Sequence, residues 1–277
     1  GGENCDVLLM TATPIPRTLT MTVYGDMDIS LIREKPKDRK PVKTYSKLES
    51  KTDEVIRFIK KEINSGNQIF WVCPLIEESK KLDHASAVKK FDYLKKIFPN
   101  NVALIHGKTD IDEKEEILKK FLNNKFKILV STTIIEVGID FPNANVIIIE
   151  NANKFGLSQL HQLRGRVGRG NKDSSCILMF KSNLSDNAKK RINILKNSND
   201  GFEISEEDMK IRGFGDILGF KQSGIKNFRL ADPIHNHELF ILAEKEMKRI
   251  EKSHEDLSKF KPLIKLYDRA DIINDLA

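Results

Sequence analysis

The sequence predicts an α/β fold: a parallel sheet with helices on both faces, followed by a helical appendage toward the C-terminal end. Short unbroken apolar runs recur up to Phe180, and between them apolar residues return at helical spacing. Strands buried on both faces read as continuous apolar runs, and their alternation with amphipathic helices is the pattern of a covered parallel sheet. From about Leu184 the apolar runs stop and only the helical spacing continues.

Taken in order, Val7-Leu-Leu-Met10 is a candidate buried strand. Residues 14–45 hold Pro14, Pro16, Pro36 and Pro41 among charges, and Arg33–Pro41 reads as an exposed linker. Val55, Ile59 and Ile63 mark a helix that Gly66 closes. Ile69–Val72 is a strand, and Val88, Phe91, Leu94 and Phe98 mark a helix stopped by Pro99. Val102–Ile105 is a strand, after which Asp110 and Glu113 form a capping box opening a helix through Leu122. Lys127–Val130 and Val146–Ile149 are strands, Leu160, Leu163 and Val167 line a helix, and Cys176–Phe180 is the closing strand. Leu184, Ala188, Ile192 and Leu195 then predict a helix, with Ser205 and Asp208 as candidate caps of a second, short one. A loop with Gly213, Gly215, Gly219 and Gly224 leads to Asp232-Pro233, a helix start continued by Leu239, Leu242, Met247 and Ile250. Trp71, Met209 and Met247 are expected in the core.

Composition narrows the class. The 277 residues are 39% hydrophobic and 31% charged, which suits a globular chain with room for two domains. Cys5, Cys73 and Cys176 are few and far apart, as expected in a reducing cytoplasm, and they exclude a disulfide scaffold or a zinc knuckle; no metal site is expected. No apolar run approaches the roughly 18 residues of a membrane helix. The chain opens on Gly-Gly-Glu-Asn-Cys-Asp without an initiator Met, and is expected to be cut from a longer polypeptide. A net charge of +7 permits a polyanionic partner, while 7% aromatic content argues against base stacking as the binding device.

The strongest chemical signal is Gln162-Leu-Arg-Gly-Arg-Val-Gly-Arg169. A charge cluster is usually a solvated face, but Gly165 and Gly168 interrupt this one. Glycine inside a helix costs about 1 kcal/mol, and a merely solvated face has no need of it. Arg166 and Arg169 stand three apart and reach the same side. Their guanidinium forks fit phosphate oxygens, which suggests a nucleotide γ-phosphate. Parallel sheets place ligands at the carboxyl ends of their strands, so chemistry is expected after Ile105, Val130 and Ile149. Taken alone, His106 reads as a hydrogen-bonded surface histidine, Ser131-Thr132 as a plain strand end, and Lys189, Lys190 and Arg191 as a solvated helix face. Residues 151–230 hold 15 Lys and Arg against 8 Asp and Glu, a surplus of seven that equals the net charge of the whole chain. Arg212, Lys221, Gln222, Lys226 and Arg229 can therefore line a phosphate track.

Gln-x-x-Gly-Arg-x-x-Arg resembles motif VI of superfamily 2 helicases. Thr11-Ala-Thr13 with Pro14-Ile-Pro-Arg17 resembles motif III, Ser131-Thr-Thr-Ile-Ile-Glu-Val-Gly-Ile-Asp140 resembles motif V, and Ile105-His-Gly107 resembles the nucleic-acid motif before it. The string from Glu150 to Arg169 is similar to a narrower group, that of RecG and the transcription-repair coupling factor. Tyr24-Gly-Asp-Met-Asp28, Arg39-Lys-Pro41 and Phe228-Arg-Leu-Ala-Asp232 favour the RecG family. Asp200 through Gly224 resembles its TRG region, with Phe214 in place of a proline and Lys221 in place of an arginine; the first loosens a loop, the second keeps charge but loses a fork.

The resemblance implies a RecA-like second helicase lobe over residues 37–182, the end of a first lobe and a linker over 1–36, and the TRG region with C-terminal helices over 183–277. It implies an ATP-dependent DNA helicase that remodels branched double-stranded DNA, stalled forks and Holliday junctions, in recombination and repair. Arg166, Arg169 and Gln162 would be catalytic, and Gly138 and Asp140 would touch nucleotide with the two arginines. His106, Gly107, Ser131, Thr132, Arg212, Lys221 and Gln222 would touch DNA, and Thr11, Thr13, Arg212 and Gln222 would couple hydrolysis to movement. ATP and Mg2+ would be held mainly by a first lobe that, with a wedge domain, is the expected partner. Gly107-Lys-Thr109 is not a phosphate-binding loop, because Val102 stands where its first glycine belongs. With no acidic Mg2+ motif either, this chain alone is expected to be inactive. The alternatives are the matching piece of the coupling factor, or a non-catalytic binding module for nucleic acid or protein.

Overall fold

The computed structural model describes residues 8, 10, 30–32, 40–73, 80–132, 141–168, 172–182, 184–212, 237–253 and 257–262. The chain divides into two compact units, residues 1–16 with 29–213 and residues 17–28 with 214–277.

The first unit is built on six strands: β1 (Lys43–Leu48), β2 (Gln68–Val72), β3 (Val102–Ile105), β4 (Ile128–Ser131), β5 (Ala144–Ile149) and β6 (Ser175–Phe180). They form one sheet in the order β1-β6-β5-β2-β4-β3, and every neighbouring pair is parallel. The connections carry α1 (Thr52–Asn64), α2 (Lys80–Ile97), α3 (Ile111–Leu122) and α4 (Leu157–Arg164); α5 (Asp186–Asn197) and α6 (Gly201–Arg212) follow the last strand.

Alternate strand residues serve two cores. Ile69, Trp71, Val146 and Ile148 pack with Val55 and Ile59 of α1 and Leu94 of α2. Phe70, Val72, Ile147 and Ile149 pack with Phe121 of α3, Leu160 and Leu163 of α4, and Ile192 and Leu195 of α5. Central strands flanked in this way have no polar face, which is why they stand out as apolar runs. Each fully buried side chain of this kind contributes about 1.5–3 kcal/mol relative to exposure.

The observed sheet corrects several expectations. The polar strand β1, Lys-Thr-Tyr-Ser-Lys-Leu, was not anticipated. It lies at a sheet edge, half exposed, where lysines are tolerated and no apolar run is needed. Leu8 and Met10 are exposed and belong to no strand; the rest of that run lies outside the described residues. Gly66 closes α1 as expected, with φ +82° in the left-handed region. Asp110 is the N-cap of α3, but its side chain makes no capping bond. The first turn of that helix is exposed, Ile111 at 77%.

Ser205 and Asp208 do not cap a helix either: both are buried inside α6. The carboxylate of Asp200 starts that helix instead, accepting from Phe202 N–H at 2.9 Å. Ser185 caps α5, its Oγ accepting from Ala188 N–H. Arg191 is not simply solvated: its Nη1 donates to Phe155 O at 3.1 Å. In the second unit, α7 (His237–Ser253) holds Leu239, Leu242 and Met247 more than half exposed, so Met247 is not core filler as expected, whereas Met209 and Trp71 are buried. The Asp232-Pro233 helix start, the glycine loop from Gly213 to Gly224, and the motif III residues Thr11 and Thr13 lie outside the described residues.

Candidate nucleotide and nucleic-acid interfaces

Strand register places the candidate residues on two opposite edges of the sheet. At the carboxyl edge, the residues just beyond the strands form a row across β5, β2, β4 and β3. Glu150 N–H donates to Val72 O at 2.9 Å, Cys73 N–H to Ser131 O at 2.9 Å, and Thr132 N–H to Ile105 O at 3.2 Å. His106 follows Ile105 at the end of β3, so His106-Gly107 and Ser131-Thr132 are brought together on adjacent strands.

The turn after β3 closes on itself. Thr109 N–H donates to His106 O at 2.9 Å, His106 N–H to Thr109 Oγ1 at 3.0 Å, and Lys108 N–H to His106 Nδ1 at 3.1 Å. His106 Nδ1 thus accepts a backbone N–H from within its own turn. Gly107 is exposed, and a Cβ at this position would meet nothing within 4 Å among the described residues. Ser131 and Thr132 are buried, and Thr132 Oγ1 has no hydrogen-bond partner among the described residues.

A staple at this edge has no local sequence signal. Glu150 Oε1 accepts from Trp71 Nε1–H at 2.9 Å and from Lys90 Nζ at 2.8 Å, and Oε2 accepts from Cys73 Sγ at 3.7 Å. The four residues come from three separate elements, and only the fold joins them. Burial, with Glu150 beside it, pushes the Cys73 thiol well above its ordinary pKa.

The arginine turn is elsewhere. Helix α4 runs from the carboxyl edge back to the amino edge and ends at Arg164, not beyond Val167. Arg166 N–H donates to Leu163 O at 3.0 Å and Val167 N–H to Arg164 O at 3.3 Å, which turns the chain. Gly168 then adopts φ +76° against Val42 and Ser174, the residues that precede β1 and β6. Arg166 therefore sits near the amino ends of the edge strands, not beyond the carboxyl ends where the candidate residues were expected. The two glycines do not interrupt a helix: Gly165 is its C-cap, and Gly168 supplies a left-handed turn. Helical spacing does not relate Arg166 to Arg169, because the helix has already ended. Gln162 is exposed in the last turn of α4.

Gly168→Ala should cost about 1–2 kcal/mol, since alanine is strained at that φ and its methyl would stand 3.0 Å from Val42 Cγ2. Urea unfolding measures this, and unchanged stability would show that the turn is built differently.

The α4 and α6 helices lie against each other and run in opposite directions. At the carboxyl edge, Ser158 Oγ donates to Asp208 Oδ2 at 3.2 Å, and Arg212 Nε pairs with the same oxygen at 3.5 Å. Arg212 Nη2 occupies the space that a Cβ on Gly156 would take. Arg212 thus stands on the same edge as His106 and Thr132, half exposed, with its guanidinium laid over the start of α4. Gly138, Asp140, Arg169, Lys221, Gln222, Lys226 and Arg229 lie outside the described residues.

Two family profiles match this chain. Residues 50–171 match the helicase conserved C-terminal domain, and residues 198–266 match the C-terminal part of domain 3 of the ATP-dependent DNA helicase RecG. The chain belongs to the RecG family. It carries a RecA-like helicase C-terminal lobe, followed by RecG's domain 3 C-terminal region. It is 48% identical over 247 residues to the ATP-dependent DNA helicase RecG of Bacillus subtilis, covering 88% of this chain and 36% of that protein. It is 44% identical over 265 residues to RecG of Aquifex aeolicus, covering 94% of this chain and 33% of that one. The chain thus spans about a third of the length of these relatives. A solved structure of RecG bound to a three-way DNA junction is similar with a TM-score of 0.65 and 42% identity, covering 83% of this chain and 30% of that one. The profile over 198–266 is specific to RecG, which favours that family over the coupling factor. No helix among the described residues is long and apolar enough to cross a membrane.

Proposed function

We propose that this chain is the second motor lobe and coupling region of an ATP-dependent translocase that remodels branched double-stranded DNA at stalled forks and Holliday junctions. The observation that carries the reading is the separation of two candidate sets on one rigid sheet. A row of small, hydroxyl and backbone groups lies on the carboxyl edge, and an arginine turn lies on the amino edge. A related RecG has been solved on a three-way DNA junction, which supports branched DNA as the partner.

In this reading Arg166 and Arg169 supply guanidinium charge to the γ-phosphate of ATP as bonds to it break, and Gln162 helps place that phosphate or the attacking water. Gly138 and Asp140 meet ribose or an arginine at the face between two lobes. The contribution of this lobe is positive charge, with ATP and Mg2+ cradled mainly by a first lobe. His106, Gly107, Ser131 and Thr132 hold DNA phosphates without reading sequence. Arg212, Lys221 and Gln222 extend that track, and Thr11, Thr13, Arg212 and Gln222 pass lobe closure on to it. Residues 1–36 then finish the first lobe, 37–182 form the second, and 183–277 form the coupling region.

Gly107 tests the DNA edge cleanly. A methyl at this position touches nothing among the described residues, so Gly107→Ala should leave the thermal midpoint unchanged. If a phosphate lies against the turn, the same methyl displaces it, and affinity for a three-way junction should fall about tenfold, near 1.4 kcal/mol. Fluorescence anisotropy on the full-length protein reads this, and unchanged affinity would remove DNA from this edge.

A further inference from the structure

Of the arginines in Arg-Gly-Arg-Val-Gly-Arg, the first is treated differently by the fold. Arg164 is 2% exposed. Its Nη1 donates to Leu195 O at 2.6 Å, to Ser198 O at 2.8 Å and to Thr44 Oγ1 at 3.2 Å, and its Nη2 donates to His161 Nδ1 at 3.0 Å. Arginine only donates, so His161 accepts through Nδ1 as a neutral imidazole. No carboxylate pairs with Arg164 among the described residues. The charge is met instead by carbonyls at the end of α5, the negative pole of that helix.

A buried cation without a counter-ion is costly, and its burial lowers its pKa. An apolar side chain would fill the same space without that cost. What the guanidinium adds is direction. It binds four acceptors on β1, α4, the end of α5 and the junction into α6. It also stands at the last residue of α4, and the turn that carries Arg166 begins on its own carbonyl.

We propose that Arg164 is a positioning residue for ATP hydrolysis, its buried fork locking the Arg166 turn to β1 and to the α5–α6 junction so that Arg166 meets the γ-phosphate in one geometry. This rests on the assignment of Arg166 as the group that touches nucleotide. Lysine at position 164 keeps the charge but cannot span the four acceptors.

The test is a double-mutant cycle in the full-length protein. Arg164→Lys and Thr44→Val are each made alone and together with Arg166→Ala, and DNA-stimulated hydrolysis is followed with radiolabelled ATP. Arg164→Lys should lower kcat on the order of 10- to 100-fold, the scale of a small misplacement, with KM for ATP and DNA affinity nearly unchanged. In the Arg166→Ala background it should lower the residual rate no further. Thr44→Val removes one acceptor at nearly constant volume and should show the same pattern with a smaller loss, so it decides the matter if Arg164→Lys does not fold. Equal losses in both backgrounds would mean a merely structural role and overturn the proposal, as would an unchanged kcat in the wild-type background. If Arg166→Ala itself hydrolyses ATP normally, the assignment of Arg166 fails first, and that result is read independently of position 164.

Discussion

Replacing Arg166 with alanine in the full-length protein is expected to reduce DNA-stimulated ATP hydrolysis to a small residual rate while DNA binding is largely kept. Groups of this type contribute on the order of 10³–10⁵ in kcat, because they meet charge that develops only in the transition state. The fold explains why the two activities separate. Arg166 lies in the turn after α4, near the amino ends of β1 and β6, whereas the candidate DNA residues lie beyond the carboxyl ends of β3 and β4. The side chain is only partly buried, so its loss leaves the core of Leu160, Leu163 and Val167 intact. Arg166→Lys should recover little, since an ammonium cannot present two parallel donors. Steady-state ATPase with and without branched duplex, alongside anisotropy binding, measures both quantities. Equal loss of hydrolysis and binding would count against a role at the nucleotide.

Phe121→Ala is expected to destabilise this chain by about 3–5 kcal/mol, the usual range for emptying a buried aromatic site. Phe121 is fully buried where three rings meet: its centroid lies 5.3 Å from that of Phe70 and 5.4 Å from that of Phe141, and those two are 5.5 Å apart. Each such pair adds about 0.5–1.5 kcal/mol beyond area burial. The backbone there is held too, since Gln68 Nε2 donates to Phe121 O and to Phe126 O. Phe141 directly follows Asp140 in sequence. Urea unfolding followed by circular dichroism measures the loss, and a change below about 1 kcal/mol would contradict this packing.

The central strands were legible because burial on both faces leaves nothing but apolar side chains, as in Ile69–Val72 and Val146–Ile149. β1 was not, because an edge strand can alternate lysine and hydroxyl residues and still pair along its length with β6. The chemistry divides in the same way. Residue type and spacing drew attention to Gln162 and the arginines, but Arg164 and Arg166 are identical as letters. Only tertiary packing decides that one is enclosed by carbonyls while the other stands at a partly open turn. Ser205 and Asp208 failed for a related reason: the residue types that cap helices also satisfy buried partners, and Ser158, which binds Asp208, lies 50 residues away in sequence. The edge on which the arginines lie depended on where α4 stops. Two glycines after Arg164 have different jobs, and a single sequence does not distinguish a cap from a left-handed turn.

The eight residues of α4 make a rod about 12 Å long, clamped at its head by Asp208 and Arg212 and at its foot by Arg164. A rod gripped at both ends transmits displacement rather than absorbing it. A shift of the α6 terminus is therefore expected to change the aim of the turn that follows Arg164.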